Sequence, residues 1–142
     1  MAITSGLTYS FLNELLAGIH DLDGTDTLKV ALFSSSASLS PPTTTAYSTT
    51  NEITGTGYSA GGKTLTPTLS SVAATSTLDF ADVEWTSSTF TARGCLIYNS
   101  SKSNRAIAII DFGSDQSVTS GTFTIQWPAG NSANAIIRII GV

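Results

Sequence analysis

Between residues 90 and 98 every second side chain is apolar or small: Phe90, Ala92, Gly94, Leu96 and Tyr98 share one parity. A polar stretch, N-S-S-K-S-N (99–104), follows, and then the apolar run R-A-I-A-I-I-D-F (105–112). A repeat of two places successive side chains on opposite faces, which extended chain does and a helix does not. Two such runs joined by turn residues form an antiparallel hairpin. More short runs of the same kind lie on either side. T-L-K-V-A-L-F-S (27–34) sets Leu28, Val30 and Leu32 against Lys29, Ala31 and Phe33. Residues 75–80 form another strand, with 82–85 as its extension past an irregular step. Residues 122–127 alternate Phe123, Ile125 and Trp127 against Thr122, Thr124 and Gln126. Residues 113–121 and 128–134 read as polar connections. The closing run 135–142 is apolar on both faces apart from Arg138, as expected of a strand buried in a sandwich or a subunit interface.

A single helix is expected, over residues 7–19, where Leu7, Phe11, Leu12, Leu15, Leu16 and Ile19 recur at helical spacing behind a Thr4 or Ser5 cap. One helix and about seven short strands predict one mainly β domain over residues 1–142. The expected architecture is an antiparallel β-sandwich with jelly-roll or Greek-key connections. The stretch from 35 to 63 offers little to bury. It reads as an exposed arm with Pro41 and Pro42, running into a glycine-rich loop.

Charged residues make up only 11% of the chain, well under the usual quarter, with Ser and Thr in their place. Such a surface suits packing against other proteins, because few charges must be desolvated at a contact. The net charge of −4 and the scattering of Lys29, Lys63, Arg93, Lys102, Arg105 and Arg138 leave no basic face, so no nucleic-acid partner is expected. No apolar run is long enough to span a bilayer as a helix, so no membrane partner is expected. M-A-I-T-S-G carries no leader pattern, and the lone Cys95 has no partner for a disulfide, so synthesis in a reducing cytoplasm is expected.

G-Y-S-A-G-G-K-T (57–64) fits the spelling of a nucleotide phosphate loop. A working loop needs a buried strand leading in and a helix starting at the Lys-Thr pair. The lead-in N-E-I-T-G-T has one large apolar residue, and the follow-on T-L-T-P-T-L-S-S is a poor helix. The reading is a sharp turn, with Tyr58 free to pack, and no nucleotide cofactor. Asp111-Phe112-Gly113 lacks every companion of the kinase motif it spells. Three carboxylates in D-L-D-G-T-D (21–26) read as a solvated turn, since the calcium loop they resemble is longer and ends in Glu. His20 stands alone, with no nucleophile elbow for a hydrolase. Cys95 reads as an inert buried thiol. Asp79, Asp82 and Glu84 read as solvent-facing strand positions in preference to a glycosidase pair. The aromatics Trp85, Trp127, Tyr47, Tyr58 and Tyr98 suit core and interface packing as well as a sugar-binding face. No catalytic residue, metal ligand or cofactor site is therefore expected.

Taken together, the segments N-E-I-T-G-T-G-Y-S-A-G-G-K-T-L, D-F-A-D-V-E-W-T-S-S-T-F-T-A-R-G-C-L-I-Y-N, A-I-I-D-F-G-S-D-Q-S-V-T-S-G-T-F-T-I-Q-W-P and A-I-I-R-I-I resemble a family of small virion structural proteins of tailed bacteriophages. Y-S-F-L-N-E-L-L-A-G-I-H-D-L and L-K-V-A-L-F-S-S-S-A fit the same pattern, so the resemblance spans nearly the whole chain. It implies a non-enzymatic building block of the particle. The leading expectation is a capsid decoration or cement protein, working as a homo-oligomer and partnered with the major capsid protein. A tail, neck or fibre component is the alternative. A carbohydrate-binding module or small hydrolase acting on the host surface is a third reading from another class. For the decoration role the contact residues expected are Pro41, Pro42 and Tyr47 in the arm, Ile53 and Tyr58 in the loop, and Phe11 and Leu15 on the helix.

Overall fold

The computed structural model describes residues 2–130 and 135–141; part of the predicted 128–134 connection and position 142 lie outside them. Two antiparallel sheets make up the fold. In chain order the elements are β1 (Gly6–Leu7), α1 (Tyr9–Leu16), β2 (Leu28–Phe33), β3 (Lys63–Thr64), β4 (Pro67–Val72), β5 (Thr75–Phe80), β6 (Val83–Asn99), β7 (Arg105–Ile125) and β8 (Ile137–Ile140). The larger sheet has the order β1-β7-β6-β2-β3 and the smaller one β4-β5-β8. The chain is thus mainly β, and the sandwich expectation holds.

The main core lies between the sheets. Leu28, Val30 and Leu32 of β2, Trp85, Phe90, Cys95 and Ile97 of β6, and Leu78 and Phe80 of β5 all belong to it, with Phe11 of α1 at one side. Phe90 and Phe123 meet at 5.2 Å between ring centroids, and Phe80 meets Trp127 edge-on at 5.6 Å. The other face of β2 and β6 is apolar too. Ala31, Phe33, Leu96 and Tyr98 point away from the main core into a second one with Ile3, Ala37 and Leu39. A sheet with two apolar faces needs two covers.

That need refines the reading of residues 35–50 as an exposed arm: most of its side chains are exposed, but Ala37, Leu39 and Thr44 are buried. The segment lies across the outer face of the large sheet. Leu39 bridges to Ile3, Ala46 to Arg105, and Glu52 to Phe33. Ala37 is 1% exposed, and the Tyr47 ring stacks on Tyr98 at 4.4 Å.

Three further expectations are corrected. The helix is shorter than 7–19, because Thr8, not Thr4 or Ser5, is its cap. Thr8 Oγ1 accepts the Phe11 N–H at 3.3 Å and donates to the Ala106 carbonyl at 3.1 Å, while Leu7 pairs with Ala108 in β1. Of the apolar stripe only Phe11 is fully buried, and Leu16 is 90% exposed. Next, residues 113–121 are strand, not loop. They lie within β7 and ladder with β6 (Phe90 opposite Val118, Thr91 opposite Ser117), although their side chains are mostly exposed. Register shifts between Trp85 and Ser88, Ser88 and Phe90, and Ala92 and Gly94 bend this ribbon, so the alternating residues 90–98 do not share one face: Phe90 and Ala92 belong to the main core, Leu96 and Tyr98 to the second. Finally, β8 is not buried on both faces: Ile137 is in the core, but Ile139 and Ile140 are each 55% exposed.

Candidate functional site

The glycine-rich loop folds around a carboxylate of its own chain. Glu52 Oε1 accepts the Gly61 N–H at 2.7 Å and the Tyr58 hydroxyl at 2.6 Å, and Oε2 accepts the Tyr47 hydroxyl at 2.7 Å. The Tyr58 oxygen in turn accepts the Leu32 N–H at 2.8 Å. Tyr98 donates its hydroxyl to the Gly61 carbonyl at 2.7 Å. Burial first, then the Glu52 carboxylate, pushes the Tyr47 and Tyr58 hydroxyls far above the ordinary phenol range; the same two causes push Tyr98 up to about 12. All three phenols therefore stay protonated and act as donors. Lys63 and Thr64, which would begin the helix of a phosphate loop, form β3 against β2. Lys63 donates to the Glu84 carbonyl at 2.6 Å and lies 5.8 Å from the Trp85 ring centroid. The loop amide that faces an anion faces an internal one.

A second polar cluster ties the helix to the β6–β7 turn. His20 Nε2 meets Glu14 Oε2 at 2.7 Å, and Arg105 donates to Glu14 Oε1 at 2.9 Å. On the other side of the ring, Asn99 Nδ2 lies 3.0 Å from His20 Nδ1 and donates to Asp26 Oδ2 at 2.8 Å. The Asn99 oxygen accepts the Ser101 N–H, which fixes the amide's orientation. His20 Nδ1 is then an acceptor and Nε2–H donates to Glu14. Burial raises the Asp26 carboxyl, but the Asp21 amide, the Asn99 side chain, Lys102 and His20 outweigh it and hold it below the usual carboxylate range. A histidine bonded to one acid has the composition of a general base. Here both ring nitrogens are engaged by Glu14 and Asn99, so the cluster works as a clasp. The second cluster was not visible in the sequence: Asn99 and Asp26 are 73 residues apart and Arg105 and Glu14 are 91 apart, and no local motif marks such pairs.

Asp82 and Glu84 are exposed, as expected of solvent-facing strand positions, and Asp79 is half-buried; the carboxylates of the strand ends and turns bond to nearby backbone. Asp79 accepts the amides of Phe80 (2.8 Å) and Gly130 (3.3 Å), and Asp82 accepts that of Trp127 (3.2 Å). Asp23 accepts the Thr25 amide at 2.9 Å in the 21–26 turn. No group of three or more His, Cys, Asp or Glu side chains able to hold a metal ion occurs among the described residues. Burial pushes the Cys95 thiol up to about 12. Trp85, Trp127 and Tyr98 are buried, so they do not form a sugar-stacking surface.

The expected contact residues separate into two groups. Phe11 is fully buried and Ile53 is 5% exposed, so both belong to the core and are withdrawn as contact residues. Pro42 is exposed; Pro41, Tyr47, Tyr58 and Leu15 are half-buried. Tyr47 and Tyr58 have their hydroxyls bonded internally. An open apolar groove of about 470 Å³ runs beside Phe112, Phe123, Ile125 and Trp127. The Trp127 indole N–H is buried at that end of the fold without a partner among the described residues. No family model, curated protein or solved structure matches the chain.

Proposed function

We propose that this chain is a non-enzymatic structural component of a bacteriophage particle. Its place there is the outer face of the capsid, as a decoration protein that bridges major capsid subunits and works as a homo-oligomer. One observation supports the structural-component reading: most groups with catalytic potential (Glu52, His20, Glu14, Asp26, Asp79, Asp82) hold the protein's own backbone and side chains in place, and of the 79–84 carboxylates only Glu84 is exposed without such a bond among the described residues. A fold that uses its acids and its histidine as internal clasps, under a surface rich in Ser and Thr, suits a rigid tile. The particle itself enters through the resemblance in the quoted segments. Contacts that are weak singly become strong when repeated by the symmetry of a shell.

The test is the copy number of the protein in purified particles, by quantitative mass spectrometry against the major capsid protein. A ratio near unity, or a simple fraction of it, is expected. A ratio lower by an order of magnitude or more favours a tail, neck or fibre position. Absence from particles overturns the reading. Against the host-surface carbohydrate reading stands the burial of Trp85, Trp127 and Tyr98, three of the five aromatics it would use.

A further inference from the structure

We propose that two copies of this chain join edge to edge through β4, making one continuous six-stranded sheet from their small sheets. An open sheet edge is a row of unpaired amides and carbonyls, and proteins protect such edges with shortness, charge, bulges or covers. Each other edge among the described strands has such protection. β1 is two residues long, and the Pro41 ring lies 3.0 Å from where a Gly6 side chain would begin. β3 is two residues long and carries Lys63. The part of β7 beyond β1 is bent by register shifts in its ladder with β6. β8 is four residues long and carries Arg138.

β4 has only a proline, Pro67, at its first position. It is six residues long and carries no charge. Its ladder with β5 runs without a break from Pro67 opposite Phe80 to Val72 opposite Thr75. Thr68–Val72 are all exposed, Leu69 at 52% and Val72 at 58%.

The hydrogen-bond parity of this edge follows from one contact. Ala81 N–H donates to the Thr66 carbonyl at 3.1 Å, so Thr68, Ser70 and Val72 turn their backbone groups toward β5. Pro67, Leu69 and Ser71 turn theirs outward. Pro67 has no N–H to leave unpaired. Leu69 and Ser71 each present one donor and one acceptor. A twofold axis at Ser70 sets Leu69 of one copy opposite Ser71 of the other. Two backbone bonds form there and two at the symmetry-related pair.

The occupant is a second copy because the edge is its own complement. It has no charge of either sign to select a different strand and none to repel its like. Small Thr68, Ser70 and Ser71 side chains flank the axis without crowding. Leu69 lies on the core-facing side, opposite Leu78, beside a crevice of about 50 Å³ shared with Leu15, Leu22 and Ile139. Across the axis it approaches its own mate diagonally, and the half-exposed apolar patch becomes continuous. The inference deepens the self-association in the proposed function, but it stands on the strand edge wherever the copies meet.

Sedimentation velocity of the full chain, from micromolar to near-millimolar concentration, tests it. A concentration-dependent dimer is expected. Ser71→Pro removes an outward N–H, as Pro67 already does, and leaves the β5 ladder intact. Ser70→Lys places two ammonium groups at the axis. Each weakens the dimer at least about tenfold, while Thr119→Lys on the bent β7 edge does not. A wild type that stays monomeric throughout overturns the proposal. So does dimerisation of Ser70→Lys at wild-type strength with a native circular dichroism spectrum, and that variant decides alone if Ser71→Pro does not fold. Absence from particles with an intact dimer overturns the shell placement and leaves the edge standing; a monomer found in particles does the reverse.

Discussion

Replacing Gly62 by Ala measures what the glycine-rich loop is for. Gly62 sits at φ +72° where β3 approaches β2, and a Cβ there would overlap the Val30 carbonyl and lie 2.8 Å from Ala31 Cα. Both obstacles are backbone in the middle of the large sheet, so the loop must move instead. Gly18 is the control: it has the same φ of +72° just after the helix, with nothing within 4 Å of an added Cβ. Gly18→Ala therefore costs the left-handed backbone term alone. That is about 1 kcal/mol after the gain from a stiffer unfolded chain. Gly62→Ala also breaks hydrogen bonds of the loop as it shifts. One is the charge-assisted bond from Gly61 to Glu52, worth about 1.5–3 kcal/mol; another is the Leu65 N–H to Leu28 carbonyl bond at 2.8 Å, worth about 1 kcal/mol. The expected total is about 3–5 kcal/mol, a large share of the ~5–15 kcal/mol that holds a domain together. Urea unfolding of both variants by circular dichroism reads the difference. If Gly62→Ala falls within about 1 kcal/mol of Gly18→Ala, the close packing of this loop on β2 is not what requires glycine.

Three further outcomes are expected. Asp26 has a lowered pKa in the folded chain, so the stability it contributes is fully present above its ordinary pKa near 3.8 and is lost as pH falls through the folded value. Asp26→Asn should therefore flatten the acid side of a stability-against-pH curve, and an unchanged curve refutes the clasp. The Cys95 thiol, buried and pushed up to about 12, should react with a disulfide reagent at neutral pH only on unfolding; fast reaction of the native protein contradicts its place in the core. ATP and GTP should leave the melting temperature unchanged in the wild type and in Lys63→Ala. A nucleotide-dependent rise abolished by Lys63→Ala would show that the 57–64 loop binds phosphate after all.

Some of the fold is legible without coordinates. The strand at 28–33, the one at 75–80 and the turn at 99–104 are each announced by side-chain alternation or turn residues within a few positions of themselves. The helix is announced too, but its length is not. A cap is defined by what its hydroxyl reaches, and Thr8 reaches Ala106 on β7. Residues 113–121 read as loop because their side chains are polar on both faces. They are strand because β6 offers them a backbone partner, and backbone pairing leaves no mark on side-chain pattern. The candidate site was less legible still. Glu52 looks like one more polar residue before a glycine turn until two tyrosines and the Gly61 amide converge on it.

The sequence alone determined that the chain is mainly β, that residues 28–33 form a strand with Leu28, Val30 and Leu32 on one face, and that residues 57–64 lack the strand and helix a phosphate loop needs. These are properties of neighbours in the chain, and a period of two or a misplaced proline expresses them directly. Only the tertiary structure decided that residues 35–50 lie across the second face of the large sheet, that the loop's anion is Glu52, that His20 is held between Glu14 and Asn99, and that β4 is an uncharged edge with an unbroken ladder behind it. Most depend on groups brought together from far apart in the chain, or on which side of a strand is left without a neighbour; the Glu52 partners lie only five to nine residues away, but they converge only where the loop folds back on itself. Such facts belong to the packed molecule, because burial and hydrogen-bond satisfaction are settled there and nowhere along the chain.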